Sequence, residues 1–274
     1  MRRTTGSMIC PNCGKLIGVG EAKCPFCGAW RPGLYGWTPA MQRLFGMRLD
    51  LVSLIVTVCI TLYVTSLVLN PGGILLMDGF TVLAPGSRAL YQLGMTGGVA
   101  WQQGWWWTLL TAIYLHGDLL HIFFNVMWIR SLSTQVTDAY GPARAFVIFS
   151  LAGAAGFLVS NYATGHSSVG ASGSIFGLLA ALIVFGRRRG DSMITSQHWT
   201  WAALLFVMGF TMSGVNNWAH AGGFAGGWLA AQAMRSNEKR EGRAVQLFAL
   251  ALIAVTAVGF VLSFIKVTGI LLSR

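Results

Sequence analysis

Leu51 to Leu69 is a run of nineteen residues without a single charge, and it ends abruptly at Asn70-Pro71-Gly72-Gly73. A helix of about 20 apolar residues is what a hydrocarbon core of about 30 Å requires. Further apolar segments follow at about His121–Val136, Phe146–Ala163, Ser172–Gly186, Trp199–Met212, Ala219–Met234 and Ala244–Ile265. With the first, these make seven expected spans, several of them short enough to require a thinned bilayer or recessed helix ends. The chain is 54% hydrophobic and 10% charged, too apolar for one soluble core. The reading is an all-α polytopic membrane protein.

The formal charge of +11 does not point to nucleic acid, because the basic residues fall mainly in the gaps between apolar runs. The N-terminal region, Arg130 and Arg144, Arg187 to Arg189, and Arg235 with Lys239, Arg240 and Arg243 all lie on one side of the membrane if the N-terminus is cytoplasmic. Little charge reaches the other side until Lys266 and Arg274. A multi-pass protein of the cell membrane is expected, with its N-terminus cytoplasmic and its C-terminus external. The first fifty residues are polar and basic, so no apolar leader is expected there. The stretch from Asn70 to about Gln103 is Gly-rich and apolar; Trp101, Trp105, Trp106 and Trp107 are expected to anchor it in the interface.

Near the N-terminus, Cys10-Pro11-Asn12-Cys13 and Cys24-Pro25-Phe26-Cys27 form two Cys-x-x-Cys pairs, each followed by glycine. Such turns aim four thiolates at one ion, which suits tetrahedral Zn²⁺; two disulfides or a redox motif are the other readings of the pattern, and a cytoplasmic location favours zinc. A zinc ribbon this small would depend on its metal for folding. Lys15, Lys23 and Glu21 do not make a nucleic-acid surface, which leaves recruiting a cytosolic partner or merely capping the N-terminus as the role of the ribbon. Cys59 reads as a packed residue of the first span. The expected organisation is a ribbon at 1–30, a linker with a short interfacial helix (Pro39–Phe45) at 31–50, a core at 51–235, and a cytosolic loop with the seventh span at 236–274.

Gly170-Ala171-Ser172-Gly173 places a hydroxyl at the head of one apolar run, and Ala219-His220-Ala221-Gly222 places an imidazole at the head of another. Ser172 precedes Arg187 by fifteen residues and His220 precedes Arg235 by the same number, so both groups should lie roughly 22 Å from the basic interface, at one depth. Ionisable groups inside a membrane are costly and mark function. Gly173 and Gly177 share one face of their helix; Gly222 and Gly226, and Gly223 and Gly227, share faces of theirs. Small residues at this spacing let helices approach closely, and if these faces meet, Ser172 Oγ can hydrogen-bond to His220. His121 and Asn125, four residues apart on the second span, are two neutral donors suited to an oxyanion, with the Ser172 N–H as a third; interhelical glue is the alternative. His116 reads as gating the cavity or satisfying the loop, and His166 and His198 as interfacial. Asp118 reads as a helix N-cap, and no acid is placed to orient His220, so tight packing of the imidazole must take that role.

These motifs, in this order, resemble the rhomboid intramembrane serine proteases over roughly Leu51 to Met234. The seventh span matches the six-plus-one arrangement found in part of that family, and the N-terminal ribbon is an addition to it. The resemblance implies Ser172 as nucleophile, His220 as base, His121 and Asn125 on the oxyanion side, no cofactor for catalysis, and transmembrane proteins within the lipid bilayer as substrates. A catalytically silent rhomboid-like protein that binds membrane clients is the alternative. One departure is that the family's frequent Trp-Arg in the first loop is Trp107-Thr108 here.

Overall fold

The computed structural model describes residues 5–10, 14–26, 28, 30, 32, 50–79, 81–212, 214–236 and 241–272. The expected interfacial helix Pro39–Phe45 and the thiols of Cys13 and Cys27 lie outside them.

Seven long helices stand where the apolar runs predict: α1 (Leu51–Leu69), α5 (Leu119–Tyr140), α6 (Pro142–Ala163), α7 (Ser172–Arg189), α8 (Ser192–Thr211), α9 (Asn217–Ala233) and α10 (Arg243–Leu272). Three shorter ones lie between the first two: α2 (Ser87–Gln92), α3 (Gly98–Gln102) and α4 (Thr108–Thr111). The ends follow local chemistry. Asp50, Asp118, Asp191 and Asn216 each accept a backbone N–H three residues on, which satisfies one orphan donor at the start of α1, α5, α8 and α9. Gly190 closes α7 in the left-handed region at φ +68°. Gly141, at φ +91°, turns α5 into α6, and Pro142 opens the new helix, where its missing N–H costs nothing.

By length and apolarity alone, three of these helices can cross a membrane: α1, α6 and Arg243–Ile270 of α10. A fourth span results if Thr108–Tyr114 and α5, bent by 94°, count as one. Of the others, α7 carries Arg187, Arg188 and Arg189 within its eighteen residues and α9 is only seventeen residues long, and protein rather than lipid covers the centre. α7 is buried at every position from Gly173 to Gly186. α5, α6, α8 and α9 surround it. In α1 and α10 the pattern inverts: Leu54, Val64, Val68, Leu247, Leu250, Val261 and Ile265 face outward, an apolar surface of the kind a bilayer covers.

The loop between α1 and α4 is more structured than its composition suggests. A hairpin pairs β3 (Leu75–Asp78) with β4 (Thr81–Ala84), with Met77 opposite Val82, and the Tyr63 hydroxyl donates to the Leu83 carbonyl at 2.6 Å to hold it to α1. Of the four loop tryptophans, Trp106 is exposed, whereas Trp105 is buried and stacks on Trp107 with centroids 6.1 Å apart. Packing against its neighbour, not the interface, places Trp105.

At the N-terminus, β1 (Ser7–Ile9) pairs antiparallel with β2 (Leu16–Gly18). Cys10 and Cys24 are buried in one small cluster with Met8, Ile17 and Val19. Each begins the same turn: the Gly14 N–H donates to the Cys10 carbonyl at 2.9 Å and the Gly28 N–H to the Cys24 carbonyl at 2.8 Å, with both glycines at positive φ. Among the described residues no group of three metal-binding side chains occurs.

Candidate active site

The two glycine stripes of α9 have different partners. A side chain at Gly223 would run into the Gly173 backbone, and one at Gly227 would meet the Gly177 backbone, so this stripe sets α9 directly against α7. Gly222 and Gly226 face Val159 and Ala155 of α6 instead. Gly156 of α6 meets the Ala219 carbonyl in turn. Without Cβ atoms these backbones approach to van der Waals contact, which fixes the heads of α7 and α9 beside each other.

His220 therefore lies over α7. Its ring stacks on Phe176, with centroids 4.4 Å apart and planes 19° from parallel. Phe176 is one turn below Ser172 on α7, so hydroxyl and imidazole share a face of the same helix. The hydrogen bond expected between Ser172 and His220 is not formed among the described residues; catalytic hydrogen bonds are often long until substrate binds. His220 Nδ1 lies 3.1 Å from Asn217 Oδ1, three residues earlier on α9. An amide oxygen only accepts, so Nδ1 carries the proton and Nε2 the lone pair, the tautomer that a base needs.

On the other side of Ser172 is His121. Asp118 caps α5 by accepting the His121 N–H at 2.8 Å. The His121 ring accepts the Gly117 N–H at Nδ1 (3.3 Å), so Nε2 carries the hydrogen. A Cβ on Gly170 would stand 2.7 Å from both Cε1 and Nε2 of that ring, which puts the donor edge against the turn leading into Ser172. Asn125 Nδ2 donates to the His121 carbonyl at 2.8 Å, and its Oδ1 is buried without a partner among the described residues. The N–H of Ser172 opens α7, where no earlier helical carbonyl accepts it and the helix dipole favours negative charge.

The other histidines separate clearly. His116 is fully buried, edge-on to His121 at 5.2 Å, with neither ring nitrogen partnered among the described residues. His198 is also buried, its Nδ1 2.7 Å from the Ile194 carbonyl. His166 is exposed. Sequence reasoning missed Phe176, Asn217 and Gly117. Phe176 and Asn217 were detectable by spacing, four after Ser172 and three before His220, since a neutral amide can hold an imidazole tautomer as an acid does.

Comparison with known proteins shows which family this chain is similar to. The Rhomboid domain model matches residues 103–237. The chain is 34% identical over 161 residues to Rhomboid protease GluP of Bacillus subtilis, covering 58% of this chain and 32% of that protein. It is 33% identical over 146 residues to a protein of the same bacterium named "Putative rhomboid protease YdcA", covering 51% of this chain and 69% of that one. Rhomboid-like protease 1 of Toxoplasma gondii is 28% identical over 162 residues, 56% of this chain and 55% of its own length. The chain thus spans about a third of GluP and about two thirds of YdcA.

Proposed function

This chain belongs to the rhomboid family, and from that premise we propose that it is an intramembrane serine endopeptidase that cleaves transmembrane or juxtamembrane segments of other membrane proteins. The observation that carries the reading is the stack of His220 on Phe176, one turn from Ser172, with Asn217 holding the tautomer of the base. Ser172 attacks the scissile carbonyl as His220 Nε2 takes its proton. The tetrahedral oxyanion forms between the Ser172 N–H, His121 Nε2–H and the second N–H of Asn125. His220 then returns the proton to the leaving amine, and water hydrolyses the acyl-enzyme. No cofactor enters this chemistry. A helical substrate hides its carbonyls, so segments with helix-breaking residues near the scissile bond are the favoured substrates.

The six-plus-one arrangement, the cytoplasmic N-terminus, the external C-terminus and the division at 30, 50 and 235 are part of the same proposal, supported by the basic residues between spans. Cys10, Cys13, Cys24 and Cys27 would hold a structural Zn²⁺. The twin cysteine–glycine turns and the shared burial of Cys10 and Cys24 fit that ion, which would cross-link a cluster with five buried side chains among the described residues. A ribbon so held is available to a cytosolic partner.

The test is cleavage of a labelled single-span substrate in proteoliposomes by the parent, Ser172→Ala and His220→Ala. Loss of product in both variants, with folding and zinc content unchanged, is the expected result. If the parent and both variants are equally inert across a panel of spans, the client-binding alternative replaces the protease.

A further inference from the structure

The seventh helix does not stand apart from the site. α10 packs on α2, α4 and α6, and its inward face is built for that contact. Ser263, fully buried, accepts the Trp107 indole N–H at 3.0 Å. Gly259 leaves room for Trp107 and Thr111: a Cβ there would stand 3.0 Å from Thr111 Cγ2 and 3.2 Å from Trp107 Cβ. The next residue, Phe260, packs against Tyr114 with centroids 6.4 Å apart. Gln92 adds a longer hydrogen bond to Thr268 at 3.4 Å. Trp107, Thr111 and Tyr114 are spaced four and three apart, so α4 and the 3₁₀ turn after it present one continuous face to α10.

The opposite side of that short helical segment touches the site twice. The Ala112 carbonyl accepts the Gly170 N–H at 2.9 Å, which fixes the turn before Ser172. Two residues past Tyr114, His116 meets His121 edge-on. Thr96, bonded to Thr108, pairs with Ser168 and so holds the same turn from its other end. Residues 107–116 are therefore wedged between α10 and the two groups on the oxyanion side.

We infer that α10 is a strut of the catalytic centre, with Ser263 a positioning residue that acts through Trp107 and residues 107–116 on His121 and the Gly170 turn. It stands where the family's usual Trp-Arg has lost its arginine, at Trp107-Thr108. The inference rests on the proposed protease activity, and it assigns the seventh helix a role in turnover rather than in substrate capture. Displacing a catalytic group by about 1 Å from a distance can cost on the order of a hundredfold in rate.

The experiment compares full-length Ser263→Ala, Ser263→Thr, Trp107→Phe, the Trp107→Phe/Ser263→Ala pair and Gly259→Leu with the lipid-facing control Ile265→Ala. Cleavage in proteoliposomes gives kcat and KM, a fluorophosphonate reports Ser172 reactivity, and amide hydrogen exchange reports residues 107–116 and 165–171. Ser263→Ala should lower kcat and the labelling rate by about tenfold with KM unchanged. Ser263→Thr should restore most of the loss, the pair should lose no more than either single change, and Gly259→Leu should lose about a hundredfold. Exchange should rise in both segments in Ser263→Ala and not in Ile265→Ala. Parental kcat in Ser263→Ala overturns the inference, and so does unchanged exchange. If the parent neither cleaves nor takes up the label, the protease reading fails, while exchange still decides whether α10 braces the two segments.

Discussion

Asn217 Oδ1 and His220 Nδ1 face each other at 3.1 Å across one turn of α9. The relationship places a neutral amide where a serine protease of the triad type places a carboxylate. A carboxylate fixes the tautomer and stabilises the imidazolium; an amide oxygen does the first fully and the second only through its dipole. Stacking on Phe176 supplies the remaining constraint, the plane of the ring.

Asn217→Ala should therefore slow turnover without abolishing it. One neutral hydrogen bond contributes about 0.5–1.5 kcal/mol, or roughly two- to tenfold in rate. The substitution should lower kcat and leave KM unchanged. A kcat equal to the parent's would mean that packing alone orients the base, as the sequence by itself suggests.

Gly170 is constrained twice, by φ of +129° and by the His121 ring against its α-carbon. Gly170→Ala should strain the backbone by about 1–3 kcal/mol and push the ring off the oxyanion position. A drop in kcat of at least about a hundredfold is expected, with the helical content seen by circular dichroism retained. Activity within a few-fold of the parent would show that His121 does not need this position.

How much of this was readable beforehand depended on the kind of signal. Helix starts were legible because Asp118 announces its cap by residue type, and the meeting of α7 and α9 was legible because Gly173, Gly177, Gly223 and Gly227 repeat at helical spacing. The β3–β4 hairpin was not, because its strands are only four residues long and β3 is exposed throughout, so no alternation of burial marks it. Arg144 reads as a charge that sets orientation, but it is buried and donates to the Tyr140 carbonyl at 3.1 Å, a local role that charge counting does not see. The contact of α10 with Trp107 joins residues 156 apart, beyond the reach of any periodicity.

The α7–α9 contact makes a stability prediction. A methyl added at Gly223 has nowhere to go but into the Gly173 carbonyl group, and backbone cannot rotate aside as a side chain can. Gly223→Ala should cost about 1–3 kcal/mol, typical of overpacking, and lower the thermal unfolding midpoint in detergent. Gly72→Ala, where a Cβ meets nothing within 4 Å, is the control that should leave the midpoint unchanged. Equal midpoints for the two variants would mean that the helices can separate without loss.

Glu241, in the segment before α10, closes one end of the bundle by capping α6. Its two carboxylate oxygens accept the N–H groups of Ala143 (3.1 Å) and Arg144 (2.8 Å) at the first turn of α6, and a side chain at Gly141 would collide with it. A carboxylate at a helix N-terminus satisfies orphan donors and opposes the positive end of the helix dipole. Because the acid belongs to a different segment from the helix it caps, the bond also fixes where α10 begins relative to α6. Glu241→Ala should destabilise the protein by about 0.5–2 kcal/mol, the usual range for a lost N-cap. Glu241→Gln, which keeps one acceptor oxygen but no charge, should fall between it and the parent. Hydrogen exchange at the first turn of α6 should rise in the same order, and a flat series would mean that water replaces the carboxylate at no cost.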